Sequence, residues 1–130
     1  MKILVGYDGS KVAEDAMKLA QKHARVFNAD IYLLTSLKQG HELQKEDIEE
    51  AESRLDQLKL NFDLDKIACE THASVSFLTP GEDLVQFSKD NDIDYIFIGV
   101  RKRSQVGKLV FGSTAQFVIL EAPCPVVTIK

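Results

Sequence analysis

Residues 99–114, GVRKRSQVGKLVFGST, bring together three glycines (Gly99, Gly107 and Gly112), four cations (Arg101, Lys102, Arg103 and Lys108) and the hydroxyls of Ser104, Ser113 and Thr114. They directly follow the apolar run Asp94-Tyr-Ile-Phe-Ile-Gly99. The chemistry this composition suits is phosphate binding. N–H groups in the first turn of a helix lack intrahelical partners and carry partial positive charge, so anions settle there. Glycine lets backbone approach a ligand closely and adopt positive φ at little cost. No Asp or Glu lies between Asp94 and Glu121, although the whole chain carries a net charge of −4. Positive charge is therefore concentrated on one segment, read here as a flexible cationic loop that enters a helix at Gly112-Ser113-Thr114.

Each of these features also has a plainer reading. Ser113-Thr-Ala-Gln116 fits a capping box that needs no ligand, although several N–H groups of the same turn would still point outward. The four cations also fit a solvated charge run. Asp8, in Gly6-Tyr7-Asp8-Gly9, either shapes the turn before the first helix or contacts a ligand. A carboxylate assists phosphate binding only through a hydroxyl or a metal.

The elements that must position these groups follow from periodicity. Lys2–Tyr7 is an apolar strand, and Ala13, Ala16, Met17, Ala20, Ala24 and Phe27 form a helical stripe within Ser10–Phe27. Ile31–Leu37 is a second strand. His41–Leu60 is an amphipathic helix with Leu43, Ile48, Ala51, Leu55 and Leu58 on its inner face. Ile67–Phe77 alternates like a strand near a sheet edge. Thr79-Pro-Gly-Glu82 marks a helix start with Thr79 as N-cap, running to about Asn91. Tyr95–Ile98 reads as a strand buried on both faces, followed by a short helix at Ser113–Glu121 and a last strand at Val126–Ile129.

Strict alternation of this kind predicts an α/β, Rossmann-like fold. It is a single-domain, doubly wound five-stranded parallel sheet in the order 3-2-1-4-5, with helices on both faces, spanning residues 1–130. Ligands of such sheets sit beyond the carboxyl ends of the strands where the strand order reverses. That point would bring Gly6-Tyr7-Asp8 to face Gly99–Ser113.

Composition narrows the partners. With 45% hydrophobic and 28% charged residues the chain reads as an ordinary globular domain, long enough to bury roughly two-thirds of its unfolded surface. Its acidity argues against general binding to nucleic acid or a membrane surface. No apolar run approaches the ~20 residues of a membrane span, and the start of the chain does not resemble a signal peptide, so a cytoplasmic location is expected. Cys69 and Cys124 form no CxxC and are read as structural, reduced thiols. His23, His41 and His72 show no metal-ligand spacing and are read as structural too.

Two phosphate fingerprints fail. Gly107-Lys108 ends like a P-loop, but Leu109 stands where Ser or Thr belongs and Lys102 where the leading glycine belongs; Gly6-Tyr7-Asp8-Gly9 is not the dinucleotide G-x-G-x-x-G. A receiver domain of the same architecture would need an Asp at the end of the third strand, where the chain reads Ser74-Val-Ser76. What remains resembles the universal stress protein family along the whole chain. The resemblance rests on Lys2-Ile-Leu-Val-Gly-Tyr-Asp8-Gly-Ser10, the strand ending at Gly99, the Gly112-Ser113 turn and Ala122-Pro-Cys-Pro-Val-Val127. The ATP-binding branch of that family carries G-x2-G-x9-G-[ST] after the fourth strand. Gly99, position 102, Gly112 and Ser113 keep that spacing, and Lys102 replaces the second glycine.

The resemblance implies a cytosolic, regulatory or stress-response module that binds ATP, or ADP or AMP, with Asp8 near the ribose or a nucleotide-bound Mg²⁺. Gly6, Tyr7, Ser36 and Ile98 would surround adenine and ribose. It also implies a homodimer through Val126–Ile129, an apolar strand whose open edge a two-fold mate can pair. Two alternatives belong to other classes: a slow ATP hydrolase or phosphotransferase, for which Asp8 is the acidic candidate, and a dimeric interaction protein of the same fold that binds no nucleotide.

Overall fold

The structure, a computed structural model, describes residues 1–100 and 112–130 together with the backbone of 103–105 and 108–110. The elements in chain order are β1 (Lys2–Gly6), α1 (Lys11–Phe27), β2 (Asp30–Lys38), α2 (Lys45–Leu64), β3 (Cys69–Ser76), α3 (Pro80–Asp90), β4 (Tyr95–Gly99), β5 (Arg103–Gln105), β6 (Lys108–Val110), α4 (Ser113–Glu121) and β7 (Val126–Ile129). β3-β2-β1-β4-β7 form one parallel sheet, so β7 is the fifth strand foreseen from the sequence and the order is the expected one.

Strand side chains alternate between faces, and this splits the core in two. Ile3 and Val5 of β1 and Phe97 of β4 pack with Ala13, Met17 and Ala20 of α1 and Leu55 and Phe62 of α2. Leu4, Ile96 and Ile98 pack on the opposite side with Leu84 and Val85 of α3 and Ala115 and Val118 of α4. The central strands are apolar on both faces because both faces are covered. β3 lies at the edge, and its Glu70, His72 and Val75 are exposed.

The differences from the sequence reading are local. The second helix begins at Lys45 rather than His41, because the Asp47 carboxylate accepts from the Gln44 backbone N–H at 2.9 Å and fixes the start there. It runs on to Leu64 and so adds Phe62 to the core. The cationic segment read as a loop contains β5 and β6, paired antiparallel with Ser104 opposite Leu109. Burial pushes the Cys69 thiol up to about 12 and raises that of Cys124, and both are free cysteines.

The start of α3 is the capping box expected at Thr79. The Thr79 hydroxyl accepts from the Glu82 N–H at 3.3 Å, and the Thr79 N–H donates to Glu82 Oε1 at 3.0 Å. These bonds hold the Glu82 carboxyl below its ordinary value, with the backbone donor contributing most. Glu82 therefore stabilises the fold above the ordinary glutamate range, and this contribution disappears as pH falls through its lowered folded value. In urea titrations across acid pH, Glu82→Gln should flatten this part of the stability profile, and Thr79→Ala should cost about 1 kcal/mol at neutral pH.

Candidate functional site

The carboxyl end of β1 is tied to β2 before it turns into α1. The Tyr7 N–H donates to the Leu34 carbonyl at 2.9 Å, and the Thr35 hydroxyl donates to the Tyr7 carbonyl at 2.8 Å. The chain then reverses through Gly9 at φ +83°, a conformation that favours glycine. Asp8 Oδ1 accepts from the Ser10 N–H at 2.9 Å, and Ser10 Oγ caps α1 by accepting from the Ala13 N–H at 3.2 Å. Asp8 thus does shape the turn, as its plainer reading holds, and it also lines a cavity.

That cavity, of about 560 Å³, lies at the carboxyl ends of β1 and β4, where the strand order reverses. Its volume falls within the range usual for small-molecule sites. Gly6, Tyr7, Asp8, Ser36, Ile98 and Gly99 line it, together with Gly112, Ser113 and Thr114 from the start of α4. Leu34, Leu84 and Pro80 add an apolar wall on the side of β2 and α3.

The two glycines at the rim do different work. A Cβ on Gly99 would stand 2.5 Å from the Val12 carbonyl carbon and 2.8 Å from the Ala13 nitrogen, so this glycine is needed for β4 to approach the first turn of α1. It therefore has a packing role in addition to lining the cavity. A Cβ on Gly112 would meet nothing within 4 Å among the described residues, and its φ of −65° suits any residue. The described surroundings do not require glycine there.

The helix starts differ electrostatically. α1, α2 and α3 each begin with a side-chain cap or capping box and carry acidic residues in the first turn: Glu14 in α1, Glu46 and Asp47 in α2, Glu82 and Asp83 in α3. α4 has neither a side-chain cap bond nor an acidic residue there, and its first residues line the cavity. Gly112, not Ser113, is its N-cap, since the Gly112 carbonyl accepts from the Gln116 N–H at 3.1 Å. Ser113 is the first helical residue, so the capping box expected at Ser113-Thr-Ala-Gln116 does not form, because its N-cap position is taken by a glycine with no side chain to accept. An uncapped, carboxylate-free helix start facing a cavity suits an anion.

The universal stress protein family model matches residues 1–130. The chain belongs to the universal stress protein family. A universal stress protein structure from Archaeoglobus fulgidus is 38% identical, covers 100% of this chain and 98% of that one, and superposes with a TM-score of 0.87. Another from the same organism, solved in complex with dAMP, is 34% identical with the same coverage and a TM-score of 0.83. A universal stress protein of Methanocaldococcus jannaschii is 26% identical over 99% of this chain and 81% of its own length.

Against this family background, the structure gathers Gly6, Tyr7, Asp8, Ser36, Ile98, Gly99, Gly112, Ser113 and Thr114 around one cavity. Arg101, Lys102 and Gly107 lie outside the described residues, as do the side chains of Arg103, Ser104 and Lys108, whose backbone belongs to β5 and β6. Among the described residues no three His, Cys, Asp or Glu side chains gather as a metal site. His23 lies 3.0 Å through Nδ1 from the Leu19 carbonyl and packs edge-on against Phe97, and His72 packs against Phe87. Sequence reasoning missed Leu34, Pro80, Leu84, Ser10, Val12, Ala13 and Ala115 as lining residues. Leu34 stands two residues before Ser36 on the same strand face, and Pro80 and Leu84 share a helix face at i, i+4, so part of this wall carried a periodic signal.

Glycine substitution separates the two roles. Gly99→Ala should lower stability by about 2 kcal/mol or more, because backbone rather than a flexible side chain must move. Gly112→Ala should stay within about 0.5 kcal/mol of wild type. Chemical denaturation of both variants checks the pair of outcomes.

Proposed function

We propose that residues 1–130 act as one unit that binds an adenine nucleotide, ATP or its relatives ADP and AMP, in the cavity between β1 and β4. The observation that carries this is the start of α4, with no side-chain cap bond and no acidic residue in its first turn, lining the same cavity as the apolar wall of Leu34, Pro80 and Leu84. Phosphates would sit on the N–H groups after Gly112, and the base would lie against Leu34, Leu84 and Ile98. The relative in complex with dAMP supports the same ligand class. A preference for ATP over AMP would draw on Arg101, Lys102, Arg103 and Lys108, with Ser104 and Gly107 in the same segment. Lys102 would offset the motif glycine it replaces by adding a cation.

Asp8 would reach the ribose or a Mg²⁺ brought by the phosphates. One of its oxygens already accepts from the Ser10 N–H, and it is the sole carboxylate among the described lining residues. A metal here would therefore depend mainly on phosphate oxygens for its ligands. In-line hydrolysis needs a base or a group that positions water, and one turn-bound carboxylate suits a binding module with at most slow turnover. We place the module in the cytoplasm with a regulatory role in stress, binding neither nucleic acid nor membranes. Among the described residues no helix is long and apolar enough to cross a membrane. Homodimerisation would use Val126–Ile129 of β7, which forms the other edge of the sheet.

A thermal-shift panel of ATP, ADP and AMP, with and without Mg²⁺, tests the reading. Ligand at about 100 times its dissociation constant adds about 2.7 kcal/mol, which raises the melting temperature by several degrees in a chain of this size. No shift with any nucleotide sinks it. Gly112→Val should remove the shift while the protein stays folded, and retained affinity would refute the assigned phosphate position. Phosphate release should stay slow and fall further in Asp8→Ala; fast turnover would favour the hydrolase alternative.

A further inference from the structure

Ser36 lines the cavity on the side of the apolar wall, and its hydroxyl donates to Asp83 Oδ2 at 2.9 Å. Asp83 stands in the first turn of α3, is 9% exposed, and does not itself line the cavity. The cap of α3 does not require it, because Thr79 and Glu82 already satisfy that turn. The other buried polar residue among those described, Ser88, bonds its own helix at the Leu84 carbonyl. Asp83 is thus a buried carboxylate whose side chain reaches across to a residue of the cavity.

The consequence follows from donor and acceptor inventories. A carboxylate only accepts, and a serine hydroxyl has one hydrogen. With that hydrogen committed to Asp83, Ser36 Oγ has only lone pairs to offer the cavity. Charge-assisted bonds out of water are strong, so the hydroxyl has little freedom to turn around. We propose that Ser36, oriented by Asp83, is an obligate acceptor that reads the exocyclic amine of a 6-aminopurine and rejects 6-oxopurines. An amine at that position donates to Ser36 Oγ, whereas a 6-oxo group sets two acceptors against each other with no proton between them. A site built to satisfy a polar group discriminates against the analogue that leaves it unpaired. The proposal rests on the nucleotide reading above and deepens it: Ser36 sets base specificity, and Asp83 is a positioning residue acting through it.

Calorimetric titration of the full chain with AMP, IMP and purine riboside 5′-monophosphate, which has no group at C6, tests this. Wild type should bind AMP about tenfold tighter than either analogue. Ser36→Ala should bring the AMP-to-IMP ratio close to one. Asp83→Asn should narrow it chiefly by improving IMP binding, because a carboxamide can donate to Ser36 and release its hydrogen toward the 6-oxo group. Circular dichroism reports whether each variant is folded, and Ser36→Ala carries the test if Asp83→Asn is not. Equal binding of AMP and IMP by wild type, or an unchanged ratio in folded Ser36→Ala, overturns the assignment while leaving nucleotide binding intact. No binding of any of the three, with no thermal shift by ATP or ADP either, overturns both.

Discussion

The end of β4 and the start of α1 meet backbone to backbone at Gly99, Val12 and Ala13. This contact tolerates no side chain, and much of the site depends on it. It sets how closely the carboxyl end of β4 approaches the turn after β1, and therefore the width of the crevice that opens where the strand order reverses. Strand pairing sustains it, with Ile3, Leu4 and Val5 in parallel register with Tyr95, Ile96 and Phe97. A close-packed interior passes any change at such a contact on to its neighbours.

Within that frame, the helix starts divide the electrostatic work. α1, α2 and α3 satisfy their own first turns with side-chain caps and acidic residues. α4 does not, and its first turn opens on the cavity. A missing cap costs on the order of 1 kcal/mol, little enough for a fold with two covered sheet faces to carry. A helix start without a side-chain cap bond or an acidic first turn, in an acidic chain, makes that place attractive to an anion without making the whole surface so.

The polar groups around the cavity are held by protein partners. Asp8 is anchored by the Ser10 N–H, Tyr7 by Leu34 and Thr35, and Ser36 by Asp83. Groups already fixed lose little freedom when a ligand arrives, which is how preorganisation strengthens binding. The same anchoring dictates polarity, since a hydroxyl tied to a carboxylate can only accept from whatever lies on its other side.

The order of elements, the sheet topology and the cap of α3 were legible in the chain, because two-residue and helical periodicities and the Thr79–Glu82 pairing are short-range consequences of backbone geometry. β5 and β6 escaped detection because three residues are too few to establish a period. Local pattern also placed Gly6, Asp8, Gly99 and Gly112-Ser113 at one site, by spacing and by the rule that ligands sit where strand order reverses. It could not say which glycine packing requires, since that depends on what stands opposite: the backbone of α1 at Gly99, and no described atom within 4 Å at Gly112. Nor could it join Ser36 to Asp83, 47 residues apart, or set Leu34 beside Leu84. The sequence by itself determined the strands of the main sheet, the four helices, their order and which residues would gather where the strand order reverses. The tertiary structure decided which of those residues meet, because contacts between distant segments arise only when the sheet and helices pack.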